Sequence, residues 1–244
     1  MRIVIVSDVH SNTEALTAVF EHAEAGGAID AVWCLGDIVG YGPEPSEVLS
    51  LLRGRALTSV AGNHDLAAAG GIGVEEFNSY AAEAAVWSGQ QLSEAERQYL
   101  LALPLTQIAG DFTLVHGTLR YPEWEYLLSA EQAQVQFELQ TTPYSLVGHS
   151  HLPFQFEEQA GANPRLSIAS DGETLALGEG RYIFNPGSVG QPRDGDPRAS
   201  YLVYDEGAAT VTWHRVEYDI AATQQKMRSA RLPQWLSERL SMGK

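Results

Sequence analysis

Five short apolar runs in this chain each end in a side chain that can bind a metal ion. Ile3–Val6 leads through Ser7 into Asp8-Val9-His10, and Val32–Leu35 leads into Gly36-Asp37. Leu57–Ala61 leads into Gly62-Asn63-His64-Asp65, Phe112–Val115 into His116-Gly117, and Tyr144–Val147 into Gly148-His149-Ser150-His151. Of seven histidines, five fall in these motifs; only His22 and His214 lie elsewhere. Strands of an open α/β sheet present functional residues at their carboxyl ends, so the five run ends read as one converging site. The donors are carboxylate, amide oxygen and imidazole, without thiolate. That set suits Mn, Fe, Zn, Co or Ni and is too rich in nitrogen for calcium. The ligands outnumber what one tetrahedral ion needs, whereas two ions sharing one carboxylate would use them all.

In an extended segment, residues two apart point to the same side. Asp8 and His10 are therefore expected to face together, as are His149 and His151. Glycine before Asp37, Asn63 and His149 leaves room for sharp turns. Taken singly, each signal has a plain reading. Asp8 could cap a turn, Gly36-Asp37 could be an ordinary turn, Asn63 a left-handed turn residue and His116 a structural histidine. Their joint occurrence favours ligation.

The elements that must position these groups alternate in the first half. After the first strand, Ser11 and Glu14 fit a capping box, and Ala15, Leu16, Val19, Phe20 and Ala23 repeat at helical spacing up to Gly26-Gly27. A second strand ends at Leu35, a helix opens at Pro43-Glu44-Pro45 and runs through Leu52, and a third strand ends at Ala61. This βαβαβ rhythm implies a parallel sheet. The stretch 66–103 breaks it. Helices are predicted over Val74–Trp87 and Ser93–Leu103, the latter opened by a Ser93/Glu96 capping box, and this segment could cap the site or simply pack on the sheet. The second half is strand-rich: Arg165–Ala169, Thr174–Leu177, Tyr182–Phe184, Ser200–Tyr204 and Thr210–Val216 suggest a second, antiparallel or mixed sheet. A closing helix, Asp219–Arg231, and a short one from Pro233 follow. No internal repeat or low-complexity linker divides the chain, so residues 1–244 read as one domain.

The net charge is −16, from 31 acidic and 15 basic residues. Such a field repels nucleic acid and acidic membranes at long range. Bound cations would reverse the local sign, so a small phosphate substrate remains compatible with it. The single cysteine, Cys34, allows no intrachain disulfide and reads as a small buried hydrophobe. Only a short apolar run precedes Asp8, too little for a signal peptide. No stretch approaches the ~18 apolar residues of a membrane span. The expected location is cytoplasmic, without membrane association.

Taken in order, Asp8-Val9-His10, Gly36-Asp37, Gly62-Asn63-His64-Asp65, His116 and Gly148-His149-Ser150-His151 resemble the full motif set of the calcineurin-like metallophosphoesterases. The closest likeness is to their small bacterial and archaeal phosphodiesterase-like members, whose loops Asn185-Pro186-Gly187-Ser188-Val189-Gly190 also resembles. The resemblance implies a four-layer αββα sandwich with two mixed β-sheets. It implies that Asp8, His10 and His151 hold one ion, that Asn63, His116 and His149 hold a second, and that Asp37 bridges them. His64 would stabilise or protonate the leaving oxygen, and Asp65 would orient His64 by a hydrogen bond.

Two divalent transition-metal ions, Mn foremost and Fe, Zn, Ni or Co as alternatives, would lie ~3.5–4 Å apart and turn a bridging water into a hydroxide nucleophile. The implied function is hydrolysis of a phosphate ester, most simply a phosphodiester. A phosphomonoesterase or protein phosphatase would use the same centre. A nuclease fits poorly with the acidic charge and the lack of a basic run. A non-catalytic protein-binding member of the same fold would have no need to keep every ligand and His64. Outside the motifs, Asn12 fits a helix cap as well as a substrate contact. Tyr41 could line the pocket but reads better as packing, and Arg120 and Arg193 could contact a substrate phosphate but read better as surface charges; His22 and His214 read as structural, and Asn185–Gly190 as a tight turn.

Overall fold

The computed structural model describes every residue, Met1–Lys244. The chain opens with β1 (Arg2–Val6), α1 (Thr13–Ala25), β2 (Ala31–Cys34), α2 (Pro45–Arg53) and β3 (Leu57–Ser59). Three helices follow, α3 (Asn63–Ala69), α4 (Ser79–Gln91) and α5 (Glu94–Leu101), and then β4 (Thr106–Ala109), β5 (Phe112–Val115), α6 (Ala130–Leu139) and β6 (Tyr144–Leu146). The rest comprises β7 (Pro153–Glu157), β8 (Arg165–Ile168), β9 (Thr174–Ala176), β10 (Tyr182–Pro186), β11 (Ala199–Asp205), β12 (Thr210–Val216), α7 (Ile220–Ser229), α8 (Gln234–Glu238) and a 3-10 turn at Arg239–Met242.

Two six-stranded mixed sheets result, ordered β3-β2-β1-β11-β12-β9 and β4-β5-β6-β10-β7-β8. The expected βαβαβ unit is present, since β1 pairs parallel with β2 and β2 with β3. The strand-rich second half does not make a sheet of its own. β9, β11 and β12 extend the first sheet, while β7, β8 and β10 extend the sheet begun by β4–β6. The reason is that β1 offers a free edge opposite β2, which β11 fills antiparallel with Ile3 opposite Tyr204 and Ile5 opposite Leu202. Local pattern carries no information about such a distant edge.

Alternation along β1 assigns its two faces. Val4 and Val6 point outward to Leu16, Val19 and Phe20 of α1 and Leu49 and Leu52 of α2. Ile3 and Ile5 point inward, where they join Trp33, Leu202 and Trp213 and meet Phe112, Leu114, Leu146 and Phe184 of the other sheet. On the far face, Val115, Phe154, Phe156 and Ile183 receive Ala133 and Phe137 of α6. The layers therefore run helix, sheet, sheet, helix, as the resemblance implied. Cys34 is fully buried, and burial pushes its thiol up to about 12, which fits a packing role.

Local capping follows sequence in part. The Ser93/Glu96 box forms as expected. The cap of α1 is Asn12 instead of Ser11, its side chain accepting from Ala15 N at 3.1 Å. Ser11 is held at φ 53° with its amide on Ile38 O, and Glu14 turns to Thr223 and Lys226 of α7 instead. The stretch 66–103 packs on the body through Ala68, Ala69, Leu92 and Leu100. It also reaches the C-terminal helices, where Ala81 and Ala84 meet Met227, Leu236 and Leu240.

Trp213 joins the two sheets twice, through its buried ring and through an Nε1–H donated to Asn185 O of β10 at 2.9 Å. Trp213→Ala is expected to cost about 3–5 kcal/mol in denaturant unfolding, the range for emptying a buried aromatic site. A loss under ~1 kcal/mol would mean that the inter-sheet core is not the main support.

Candidate metal centre

The carboxyl ends of β1, β2, β3, β5 and β6 converge where the two sheets meet, and each motif begins there. Asp8, His10 and His151 bring one donor atom each to within 4.8 Å of one another, and so do Asp37, His116 and His149. Asp37 Oδ2 stands between the groups, 3.7 Å from His10 Nε2 and 3.4 Å from His116 Nε2. Asn63 lines the cavity over this cluster together with Asp37, His64, His149 and His151. All nine residues singled out by sequence are buried here.

The route by which they converge differs from the extended spacing argument. Asp8, His10, Asp37, His149 and His151 all have left-handed backbones, with φ of 53°, 48°, 52°, 64° and 60°. Such strain costs about 1–3 kcal/mol per residue and persists only where surrounding contacts enforce it. Asp8 and His10 do face the same cluster. His149 and His151 do not: they go to different groups, so the two-residue alternation does not hold there.

The enforcing contacts are backbone hydrogen bonds. Asp8 N donates to Gly36 O at 3.1 Å and His10 N to Asp37 O at 3.0 Å, which couples the first motif to the second. Each acidic ligand spends one oxygen on another motif's amide. Asp8 Oδ2 accepts from His149 N at 3.2 Å, and Asp37 Oδ1 accepts from His64 N at 2.9 Å. The approach of Asp37 requires glycine at position 62, because a Cβ there would lie 2.1 Å from Asp37 Oδ1. Gly40 plays the same part for His64, where a Cβ would lie 2.4 Å from Nδ1.

Each ligand imidazole has one nitrogen on a backbone carbonyl. His10 Nδ1 meets Val39 O at 3.0 Å, His116 Nδ1 meets Leu35 O at 2.8 Å, His151 Nδ1 meets Gln191 O at 2.6 Å, and His149 Nε2 meets Trp124 O at 3.2 Å. A carbonyl accepts only, so these contacts put the hydrogen on the outer nitrogen and leave the inner lone pair facing the cluster. Inner nitrogens then confront one another: His10 Nε2 and His151 Nε2 at 3.3 Å, and His116 Nε2 and His149 Nδ1 at 3.0 Å. In the His10–His151 pair, where burial keeps both imidazoles neutral, two lone pairs at that distance repel. Asp8 Oδ1 and Asn63 Oδ1 are also buried without a hydrogen-bond partner. Converging lone pairs and orphaned oxygens of hard and borderline donors fit divalent cations.

The electrostatics agree. Burial pushes the Asp8 carboxyl up to about 7. It holds His10 and His151 well below the usual imidazole range and His149 down to about 3. For Asp37, burial is outweighed by His116, His64 and His10, which hold its carboxyl below the usual range. His116 is raised to about 9, burial being outweighed by the Asp37 carboxylate beside it. His10, His149 and His151 are thus buried neutral bases, and the positive charge on His116 is paired with the Asp37 carboxylate.

One sequence expectation fails here. Asp65 does not orient His64. Its carboxylate accepts from Val39 N at 3.0 Å and Gly62 N at 3.1 Å, while His64 Nδ1 has no partner. The two residues are neighbours at the start of α3, so their side chains diverge around the helix. Asp65 pins the turn that carries Asn63 and His64. Two further expectations change. Arg193 and Tyr41 both line the cavity over the cluster, with Glu76, Phe77, Asn78, Ala81, Trp124 and Tyr126. Arg120 does pair at the surface, with Glu125, and His22 and His214 gather on Tyr201 away from the site.

Sequence reading also missed a brace. Asn185 Nδ2 donates to Gly148 O at 2.9 Å and Ser150 Oγ at 3.1 Å, and Ser188 Oγ donates to Asp8 O at 2.8 Å. The Asn185–Gly190 stretch therefore holds the first and fifth motifs together. Its signal was present as a polar, glycine-rich motif after a strand, which read as a turn resembling a loop of the family.

Asp37→Asn is expected to lower bound metal at both positions, whereas Asp8→Asn should lower it chiefly at one, as read by elemental analysis after dialysis against Mn²⁺. Gly62→Ala should behave like Asp37→Asn, because its Cβ displaces that carboxylate. Two tightly held ions in Asp37→Asn would remove the bridging role.

Comparison with known proteins places this geometry in context. Residues 1–208 match the family model for the calcineurin-like phosphoesterase superfamily domain. The chain is 38% identical over 247 aligned positions to an uncharacterized protein of Methanocaldococcus jannaschii, covering 99% of this chain and 98% of that one. It is 27% identical over 194 positions to a symmetrical bis(5'-nucleosyl)-tetraphosphatase of Hamiltonella defensa, covering 76% of this chain and 68% of the relative. Among solved structures, a metallophosphoesterase from Sphaerobacter thermophilus superposes with a TM-score of 0.91 at 49% identity, covering 100% of this chain and 99% of the other. No helix is long and apolar enough to cross a membrane. With a domain match over most of its length and the metal-ligand geometry described above, the chain belongs to the calcineurin-like phosphoesterase superfamily and is a phosphoric ester hydrolase.

Proposed function

We propose that this protein hydrolyses a phosphodiester at a centre of two divalent cations, with Asp8, His10 and His151 holding one, Asn63, His116 and His149 the other, and Asp37 shared. The observation that carries the reading is the position of Asp37 Oδ2, which lies between the two groups of inward-facing imidazole nitrogens. Cations held there supply Lewis-acid charge for the phosphoryl oxygens and lower the pKa of water, and Mn²⁺ is the first candidate.

The chain's own groups do the rest. The carbonyls of Val39, Leu35, Gln191 and Trp124 keep the four imidazoles in one tautomer and orientation, so no rearrangement is needed when substrate arrives. His64 lines the cavity without belonging to either ligand group. Burial holds its imidazole down to about 4, so at neutral pH it faces substrate as a neutral ring. In that state its N–H can donate a hydrogen bond to the leaving oxygen and stabilise the negative charge that develops there as the bond to phosphorus breaks. Asp65 fixes the backbone from which His64 projects. The acidic net charge and the enclosed cavity favour a small ester over nucleic acid. The tetraphosphatase named above is a relative named for a bis-nucleosyl tetraphosphate, a small phosphate compound and not a nucleic acid.

Metal-stripped protein given Mn²⁺ is expected to turn over bis(p-nitrophenyl) phosphate faster than p-nitrophenyl phosphate. A monoester preference would make it a phosphomonoesterase, and no turnover with two bound ions would make it a non-catalytic binding protein. His64→Ala should keep its metal and lose about 10²–10³-fold in kcat, the range for removing one donor to a developing oxyanion. Loss of metal in that variant would show that His64 is a ligand.

A further inference from the structure

The cavity over the metal cluster, about 410 Å³ in volume, has walls that the hydrolysis itself does not require. Its size is at the small end of the range for pockets that enclose small molecules. Besides Tyr41, three aromatic side chains line it, Phe77 from the segment before α4 and Trp124 and Tyr126 from the loop before α6. Phe77 sets its edge against His64 at 4.8 Å between ring centroids and meets Trp124 at 5.0 Å. Tyr126 stacks on His149 at 4.1 Å, nearly parallel, and is still 42% exposed, so one face is covered by a ligand imidazole and the other is open. Neither Trp124 nor Tyr126 is needed as a side chain to hold that imidazole, since the contact to His149 Nε2 comes from the Trp124 backbone carbonyl. Glu76 and Asn78 add hydrogen-bonding groups to the same lining.

Arg193 supplies the opposite chemistry. In a chain with 31 acidic residues its guanidinium meets only neutral partners, Gln191 Oε1 at 2.8 and 3.2 Å and Tyr41 OH at 3.5 Å. It lines the cavity beside the proposed cation ligands. A cation next to other cations is repulsive unless an anion lies between them, and a guanidinium suits a phosphoryl group in both charge and shape.

We infer that this cavity is a subsite for a phosphate ester of a planar aromatic group, with Arg193 on the phosphoryl oxygens and Phe77, Trp124 and Tyr126 against the ring. The inference rests on the phosphoesterase reading for its phosphoryl end and names the class of substituent that the ester carries. Ring stacking on aromatic side chains is worth roughly tenfold or more in affinity per ring and tolerates differences among rings. An aryl ester and a nucleoside ester share this chemistry.

The test is calorimetric binding to Mn²⁺-loaded protein, which needs no turnover. Two matched pairs isolate the ring: phenylphosphonate against methylphosphonate, and adenosine 5′-monophosphate against ribose 5-phosphate. The aromatic member is expected to bind about tenfold or more tightly in at least one pair, and the pair with the larger ratio tells an aryl group from a nucleobase. In Trp124→Ala that ratio should fall toward one, and Trp124→Phe should restore most of it. Arg193→Gln should weaken both members of a pair alike and leave the ratio in place. Ratios near one in the wild type, or a ratio unchanged in Trp124→Ala, would overturn the ring subsite. Undiminished phosphonate binding in Arg193→Gln would overturn the role of Arg193. An absence of phosphodiester turnover alongside a high binding ratio would defeat the proposed reaction but support the subsite.

Discussion

The structure depends on holding like-natured groups together: two carboxylates, an amide oxygen and four imidazoles whose inner lone pairs face one another. Left alone, such a cluster flies apart. What holds it is the backbone. Each ligand imidazole is tied by its outer nitrogen to a carbonyl from a different part of the chain, and each carboxylate is tied by one oxygen to the amide of a different motif. These ties leave one donor atom of each carboxylate and imidazole directed inward. The left-handed backbones at five of these positions are the conformational cost of aiming them, and the same ties sustain it.

The sheets explain how these ties can exist. β1 lies inside its sheet, flanked by β2 and β11, so the turn after it is reached by Gly36–Ile38 on one side and by Ser188–Gly190 on the other. β5 and β6 bring His116, His149 and His151 from the second sheet. The inter-sheet core sets the distance between the halves, and Trp213 spans it to Asn185, whose side chain in turn grips the turn around His149. Core packing and site geometry are therefore one mechanical system, in which a change at β12 reaches the turn around His149 through two hydrogen-bonded residues.

The loop between β5 and α6 has two jobs. Its backbone, at Trp124 O, fixes a ligand imidazole, and its side chains, Trp124 and Tyr126, line the space over the cluster. The segment before α4 likewise joins the body through α3 and lends Phe77 to His64. The cavity lining and the contact to His149 thus share the same short stretch of chain, so the shape of the cavity and the geometry of the cluster are mechanically coupled.

Much of the site was legible in the sequence because each ligand follows a strand end, where an α/β sheet presents its functional residues. The parallel first half, the residues that converge and the helical nature of 66–103 followed from periodicity and motif order. What sequence could not decide depended on contacts between distant segments. The close approach of the fifth motif to the first rests on the hydrogen bonds that Asp8 Oδ2 makes to His149 N and Asn185 makes to Gly148 O, from distant parts of the chain. Asp65 reads as a partner for the adjacent His64, yet its oxygens go to Val39 and Gly62, because helical geometry turns neighbours apart. Arg193 and Tyr41 look like ordinary surface and packing residues until folding sets them over the cluster. The type of chemistry was written locally, in donor atoms at strand ends. Its geometry and the shape of the cavity were decided by tertiary structure, because both rest on hydrogen bonds and packing between residues far apart in the chain.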